Sequence, residues 1–348
     1  MLTQLGSLAI LGSGETSPNL VSVHREMLSL MDKNANLCLI DSPFGFQENA
    51  ELLVKKIQDF YKISLNANLE LASFRSIEEL NTSKFFKFLA LLDKSDFIFA
   101  GPGSPSYASK MWADNEVKIH IINHLKSGKH ALFSSAAAAT IGEYTLPVYE
   151  IYKVGSDLFW EKGLNLLSLY GLSCTVIPHF NNKEGGKHDT SYSYIGKSRM
   201  FKLLKKQYTN LLGIDEHTAL ILDGKNKTFE VKGLGKVTVF SNNHFAEFKS
   251  GQIENLKILQ DLLPINNNLT TPSKKEKKIE NFDHLKIIAD LEIKIETQNK
   301  KELKYEKLIN LLKNLRKKLR QDKNYLLADE LRNILESIGE NISDTKEN

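Results

Sequence analysis

His130-Ala131-Leu132-Phe133-Ser134-Ser135-Ala136-Ala137-Ala138-Ala139 is the stretch on which the fold turns. His130 to Phe133 read as a short buried strand. Two serines follow, then four alanines, the best helix formers. Strand, serine, then a helix of small residues is the outline of a nucleophile elbow. In that turn the serine hydroxyl is exposed, and the next backbone N–H, here that of Ala136, points where an oxyanion would develop. The same letters also describe a serine N-cap on an alanine-rich core helix. Phe133 and Ala137 stand where the G-x-S-x-G pattern has glycines, so on this stretch alone both readings stay open.

Working outward, the same beat repeats on the N-terminal side. Leu8-Ala9-Ile10-Leu11 ends in Gly12-Ser13-Gly14-Glu15 and a helical pattern from Pro18 to Met31. Leu37 to Ile40 leads through Asp41-Ser42-Pro43 to a helix from about Gln47 to Tyr61. Glu70 to Phe74 precedes a helix from about Ser76 to Leu92. Asp96 to Ala100 ends in Gly101-Pro102-Gly103-Ser104, with a helix running on to about Leu125. Strands alternating with helices predict an α/β fold: a doubly wound, mostly parallel sheet of flavodoxin-like type. Ligands of such sheets bind beyond the carboxyl ends of the strands, which is where Glu15, Gly101 to Ser104 and Ser135 fall. Gly12-Ser13-Gly14 is a poor dinucleotide loop, because a third glycine is missing at Ser17.

The composition, 41% hydrophobic and 25% charged over 348 residues, is that of a globular protein of one large or two smaller domains. A net charge of +4 is too mild to argue for nucleic acid or membrane by itself. The two cysteines, Cys38 and Cys174, lie in apolar runs with no metal-ligand spacing, which fits a reducing compartment. Met1 to Gln4 carry no basic residue, and the apolar stretch Leu5 to Leu11 is too short for a signal peptide. A cytoplasmic location, no membrane contact and no cofactor are expected.

After the alanines the rhythm changes. Tyr144 to Gly155, rich in aromatics, reads as an ordered insertion, with Tyr149 and Tyr152 available to a pocket. A helix is expected near Leu158 to Tyr170, then a strand Leu172 to Ile177. That strand runs into Pro178-His179-Phe180-Asn181-Asn182-Lys183-Glu184-Gly185-Gly186-Lys187-His188-Asp189. A histidine directly after a strand, in a polar glycine-containing loop, is well placed for acid–base work. His188 and Asp189 lack a third partner for a metal. A helix from about Ser198 to Tyr208 leads to Leu211 to Leu222, where Asp215-Glu216-His217 interrupts apolar residues; charges there are costly unless paired. Thr228 to Lys232 and Lys236 to Ser241 read as hairpin-like strands.

Three of these stretches together resemble the cyanophycinase and dipeptidase E type of serine peptidases, whose fold is similar to class I glutamine amidotransferases. Phe133-Ser134-Ser135-Ala136-Ala137-Ala138 occupies the place of that family's Gly-Thr-Ser-Ala-Gly-Ala elbow. Ile177-Pro178-His179-Phe180 matches the His-Phe of its strand-end Asp-Gln-His-Phe, and Gly213-Ile214-Asp215-Glu216-His217-Thr218-Ala219 matches its Gly-Ile-Asp-Glu-x-Thr-Ala. Gly101-Pro102-Gly103 resembles the turn that helps form the oxyanion hole. The resemblance covers roughly residues 5 to 250. It implies Ser135 as nucleophile, His179 as general base and Glu216 as orienting acid, with the oxyanion held by Ala136 N–H and an N–H at Gly101 or Gly103. Serine in place of cysteine at the elbow disfavours a glutaminase. Glu15, Glu150, Lys153, Asn182 and Arg199 are the candidate substrate contacts.

Near Leu263 the composition shifts. The chain is expected to divide into an α/β domain at 1–262, a polar linker at 263–280 and a helical tail at 281–348. Leu308, Leu311, Leu312, Leu315 and Leu319 mark one apolar stripe; Tyr325, Ala328, Leu331, Ile334 and Leu335 mark a second. Two stripes predict a helical hairpin. Leu315 to Arg332 resembles the C-terminal helical region of cysteinyl-tRNA synthetases. The His-x-Gly-His and Lys-Met-Ser-Lys-Ser signatures are absent from the sequence, which excludes aminoacylation. Arg316, Lys317, Lys318, Arg320 and Lys323 are the candidate phosphate contacts.

The function expected from all this is a serine-type hydrolase acting on an amide or peptide bond in a small or unusual peptide. The alternatives are a catalytically silent ligand-binding domain and a tRNA-associated protein acting through its tail, by RNA or protein contact. Oligomeric state is not indicated.

Overall fold

Leu8–Leu11 (β1), Leu37–Ile40 (β2), Leu69–Ala72 (β3), Phe97–Ala100 (β4) and His130–Ser134 (β5) pair in parallel, in the order β1-β5-β4-β2-β3. Four of the five are almost wholly buried, which is why they read as continuous apolar runs rather than alternating ones. In this computed structural model, residues 5–241, 244–265, 302–321 and 325–337 are described. The chain divides into two compact units, Met1–Pro272 and Ser273–Asn348.

Helices Val21–Ser29 (α1), Ala50–Leu65 (α2), Ser83–Lys94 (α3), Pro105–Trp112 (α4) and Glu116–Lys126 (α5) connect the strands. Two separate apolar clusters result. Leu8, Ile10, Ile98 and Phe133 belong to one; Ala9, Leu11, Phe99 and Leu132 belong to the other. Successive strand residues therefore face opposite layers, and the sheet is covered on both sides.

The single helix expected from Ser104 to Leu125 is two, because Asn115 accepts from Val117 N–H and so starts α5 afresh. Ser104 caps α4 in the same way, accepting from Tyr107 N–H at 3.2 Å. Ser104→Ala should cost about 1 kcal/mol of stability, typical for loss of an N-cap. Denaturant unfolding reads it directly, and an unchanged midpoint would refute the cap's contribution.

Beyond β5 lie Ser135–Thr140 (α6), the two-stranded ribbon Tyr144–Thr145 (β6) with Glu161–Lys162 (β7), and Thr175–Ile177 (β8). The helix expected at Leu158 to Tyr170 is not formed. β7 occupies its start, Asn165 takes a left-handed φ of 54°, and only a 3-10 turn, Leu166–Tyr170, remains. Next come Lys197–Lys206 (α7), Leu211–Ile214 (β9), Thr218–Asp223 (β10), Thr228–Gly233 (β11), Lys236–Ser241 (β12), His244–Lys249 (β13), Ile253–Asn255 (β14) and Leu256–Leu262 (α8). β10 pairs antiparallel with β1, β11 antiparallel with β10 and β14 antiparallel with β11, which brings the central sheet to eight strands. β13, β12, β9 and β8 form a second sheet. β11 and β12, read in sequence as a hairpin, thus part company into different sheets. The continuous run Leu211 to Leu222 is likewise cut at Asp215-Glu216-His217, where the chain crosses from the second sheet to the first.

Leu263, expected to begin the linker, is buried, and its carbonyl accepts from Ser173 N–H at 2.9 Å. The rest of the linker reading, from residue 266 on, lies outside the described residues. In the second unit Glu302–Gln321 (α9) and Tyr325–Ser337 (α10) are helices. Leu312, Leu315 and Leu319 on α9, and Ala328, Leu331 and Leu335 on α10, are buried. The side chains of Leu308, Leu311, Tyr325 and Ile334, and all of Lys323, lie outside the described residues. Arg316 is 7% exposed, so it is no surface contact for phosphate, whereas Lys317 and Lys318 are exposed.

Candidate active site

Register decides what meets at the carboxyl edge of the central sheet. Leu11 lies beside Ser134, and Phe133 beside Ala100. The turns after β1, β4 and β5 therefore adjoin, bringing Glu15, Gly101 to Ser104 and Ser135 together. Ser134 is fully buried and donates to Glu15 Oε2 at 3.1 Å. Ser135, one residue on, takes a left-handed φ of 51° and turns its hydroxyl outward. The elbow forms without its flanking glycines: Phe133 packs edge-on against Trp112, and Ala137 is buried.

The second sheet supplies the partners. β8 and β9 run parallel, with Ile177 beside Gly213, so the turn carrying His179 lies next to the turn carrying Glu216. His179 also has a left-handed φ, 48°, and its N–H donates to Gly12 O at 3.2 Å. Gly12 is required there, because a Cβ would sit 2.0 Å from Asp215 O. The Gly12-Ser13-Gly14 turn thus admits the 215–217 turn against β1.

Ser135 Oγ lies 2.8 Å from His179 Nε2, and His179 Nδ1 lies 2.9 Å from Glu216 Oε1. A carboxylate only accepts, so Nδ1 carries the proton and Nε2 is left to accept from the serine. The His179 hydrogen bond holds the Glu216 carboxyl below the ordinary carboxylate range; burial opposes it, and Asn182 and nearby His217 reinforce it. Asp215 is buried and accepts from Lys236 N–H, and the His217 ring packs against Gly14. Of the three polar residues in that turn, Glu216 is the one bonded to His179.

Ser135, Ala136, His179 and Gly103 open into a cleft of about 470 Å³, walled by Tyr149, Tyr152, Lys153, Glu184 and Tyr194. Gly103 has a φ of 139°, and a Cβ there would meet Pro43 O at 2.0 Å. Gly101 is outside the lining; its carbonyl accepts from Ala137 N–H. Lys153 lies over the Tyr152 ring, 4.8 Å from its centroid. Tyr149 caps and Tyr152 lies within a π-helical turn, Glu150–Val154, in the segment read as an insertion.

The remaining expected contacts scatter. Glu150 faces a neighbouring cleft of about 570 Å³ and accepts from Ser106 Oγ at 2.6 Å. Glu15 is engaged with Ser134 behind the elbow. Arg199 lies on α7 and lines neither cleft. Asn182 is 2% exposed and donates to Glu216 Oε1 at 2.9 Å, which puts it behind the site rather than at a ligand. Tyr194 was not foreseen: it projects from Tyr192-Ser193-Tyr194, three consecutive residues with positive φ, a conformation no residue type announces.

Among the described residues no group of three or more His, Cys, Asp or Glu is placed to hold a metal ion, and no helix is long and apolar enough to cross a membrane.

No family model matches the sequence, and no curated protein matches it. Solved structures do. A peptidase from an acI-B1 Actinobacterium superposes with a TM-score of 0.60 at 20% identity, covering 73% of this chain and 98% of that one. A protein from Listeria monocytogenes EGD-e named for peptidase E covers 66% of this chain and 100% of its own, at 17% identity and a TM-score of 0.45. The fold is α/β with a mostly parallel central sheet, consistent with the peptidase E and class I glutamine amidotransferase-like fold.

Proposed function

We propose that this chain is a serine-type hydrolase that cleaves an amide or peptide bond in a small or unusual peptide. The observation that carries the reading is the unbroken path Ser135 Oγ, His179, Glu216, with both links within hydrogen-bond reach. The actinobacterial peptidase of the same fold supports amide hydrolysis as the reaction. A cleft of about 470 Å³ suits a small-molecule-sized substrate. We assign this chemistry to residues 1–262, and not to the tail.

In the first step Ser135 Oγ attacks the carbonyl carbon while His179 Nε2 takes its proton. Glu216 holds the tautomer that makes Nε2 an acceptor and stabilises the imidazolium that forms. The negative charge moves to the carbonyl oxygen. Ala136 N–H, at the start of α6 where helix amides lack intrahelical partners, and Gly103 N–H are the donors for it. Pro102 has no N–H to offer. On collapse the C–N bond breaks, and His179 returns its proton to the leaving amine. Water, deprotonated by the same nitrogen, then releases the acyl group from Ser135.

A fluorophosphonate reports the activated serine without knowledge of the substrate, since serine Oγ displaces its fluoride. Incubation should add one phosphonyl group, mapped by peptide mass spectrometry to Ser135. Labelling elsewhere, or none, would sink the reading in favour of a silent binding domain.

A further inference from the structure

We propose that Asn182 is a positioning residue for this reaction, fixing the Glu216 carboxylate that orients His179; the inference rests on the hydrolase reading above. Every polar atom of its side chain is committed. Nδ2 donates to Glu216 Oε1 at 2.9 Å, and Oδ1 accepts from Glu184 N–H at 3.1 Å. Its backbone N–H donates to His179 O at 3.2 Å. Glu216 Oε1 therefore receives two donors, His179 Nδ1 and Asn182 Nδ2, while Glu216 N–H donates to Asn181 Oδ1 at 2.8 Å. Consecutive asparagines hold the backbone and the carboxylate of one acid.

Two consequences follow from that arrangement. A carboxylate on a two-carbon stem rotates freely unless a second bond pins it; Asn182 supplies that bond from a buried position, where water cannot replace it. The amide also draws on the same oxygen that faces His179. It tempers the carboxylate, so that Glu216 orients the imidazole without holding its proton too tightly. The asparagine then reaches the cleft wall. Glu184, bonded to Asn182 through its amide, accepts from Tyr194 Oη at 3.1 Å, and the Tyr194 ring lies 5.5 Å from the His179 ring. The titratable groups facing the pair are Asp215 and His217 on the Glu216 turn, Tyr194 and Glu184 on the loop, and Tyr149 and Lys153 across the cleft.

The test is the pH dependence of fluorophosphonate labelling in the full chain, for the wild type, Asn182→Ala and Asn182→Asp, with thermal melting in parallel. Asn182→Ala should label about 10- to 100-fold more slowly, the range expected for loss of a hydrogen bond to a charged group. With the amide gone, Glu216 Oε1 serves His179 alone, so the acid limb of the labelling profile should move towards higher pH. Asn182→Asp keeps the acceptor for Glu184 N–H and so separates loop support from positioning. It sets a second, buried carboxylate against Glu216, so it should melt below the wild type while its acid limb moves further towards high pH. Wild-type rates and an unmoved acid limb in both variants would overturn the proposal, as would slower labelling that follows lowered melting alone. A wild type that labels at Ser135 while the asparagine variants behave normally removes this inference and leaves the hydrolase reading standing. A wild type that takes no label removes both.

Discussion

Ser135→Ala should lower hydrolysis of an activated ester or amide by about 10⁴- to 10⁶-fold, the scale seen when a triad nucleophile is removed. The loss should come without a loss of stability. Residue 135 sits at a φ of 51°, where alanine is strained much as serine is, and the hydroxyl's hydrogen-bond partner in the structure is the His179 ring, which is 18% exposed and borders the cleft. Ser135→Gly sharpens the test. It is equally inactive, yet it relieves a backbone conformation costing about 1 kcal/mol or more, so it should melt above the wild type. An inactive variant that is also more stable is hard to explain except by a side chain kept for chemistry. Substantial activity in either variant would assign the reaction to another group, and the buried Ser134, already donating to Glu15, is no substitute.

The second large effect is acid destabilisation from buried histidines remote from the reaction. His24 and His124 are both held neutral by burial, their pKa values pushed down to about 4. His24 is fixed on both sides: Nε2 lies 2.7 Å from Glu15 O and Nδ1 lies 3.0 Å from Tyr61 Oη. The carbonyl can only accept, so Nε2 carries the single proton. Below about pH 6.5 the unfolded chain binds a proton on each histidine that the folded chain refuses. Stability is full above that pH and falls as pH drops towards 4, by up to about 3 kcal/mol for each residue. The depressed Glu216 carboxyl acts at the lower end of that range, where its stabilising charge is lost. Urea midpoints at pH 7, 5.5 and 4.5 should therefore fall steadily. His24→Gln should flatten the slope; a pH-independent midpoint in the wild type would refute the assignment.

Much of the fold was legible because parallel strands are buried on both faces. Runs such as Leu37 to Ile40 and Asp96 to Ala100 announced themselves by composition alone, and each ended in a turn. The meeting of Ser135, His179 and Glu216 was legible too, since each follows a strand and strand ends share an edge. What failed was everything decided by partner choice. Thr228 to Lys232 and Lys236 to Ser241 look like two arms of a hairpin, but which sheet each joins depends on β10 and β9. Leu158 to Tyr170 carries helical spacing, and a left-handed Asn165 breaks it. Asn182 reads as a loop residue aimed at ligand; its Asx turn onto Glu184 N–H is local, but its bonds to Glu216 and Thr190 depend on how the loop folds back. The tyrosines of the cleft were ambiguous because packing and binding use the same ring.

In the proposed triad Ser135 follows a strand of one sheet, and His179 and Glu216 follow strands of another. The seam between them is crossed at Gly12, whose carbonyl receives the His179 amide. Ser135 is thus a built-in proximity gauge. As denaturant rises, covalent labelling should fade before far-ultraviolet dichroism does, because a slip of a few ångströms along the seam parts oxygen from imidazole while both sheets keep their ladders. On the proposed reading, reactivity measures the tightness of one joint.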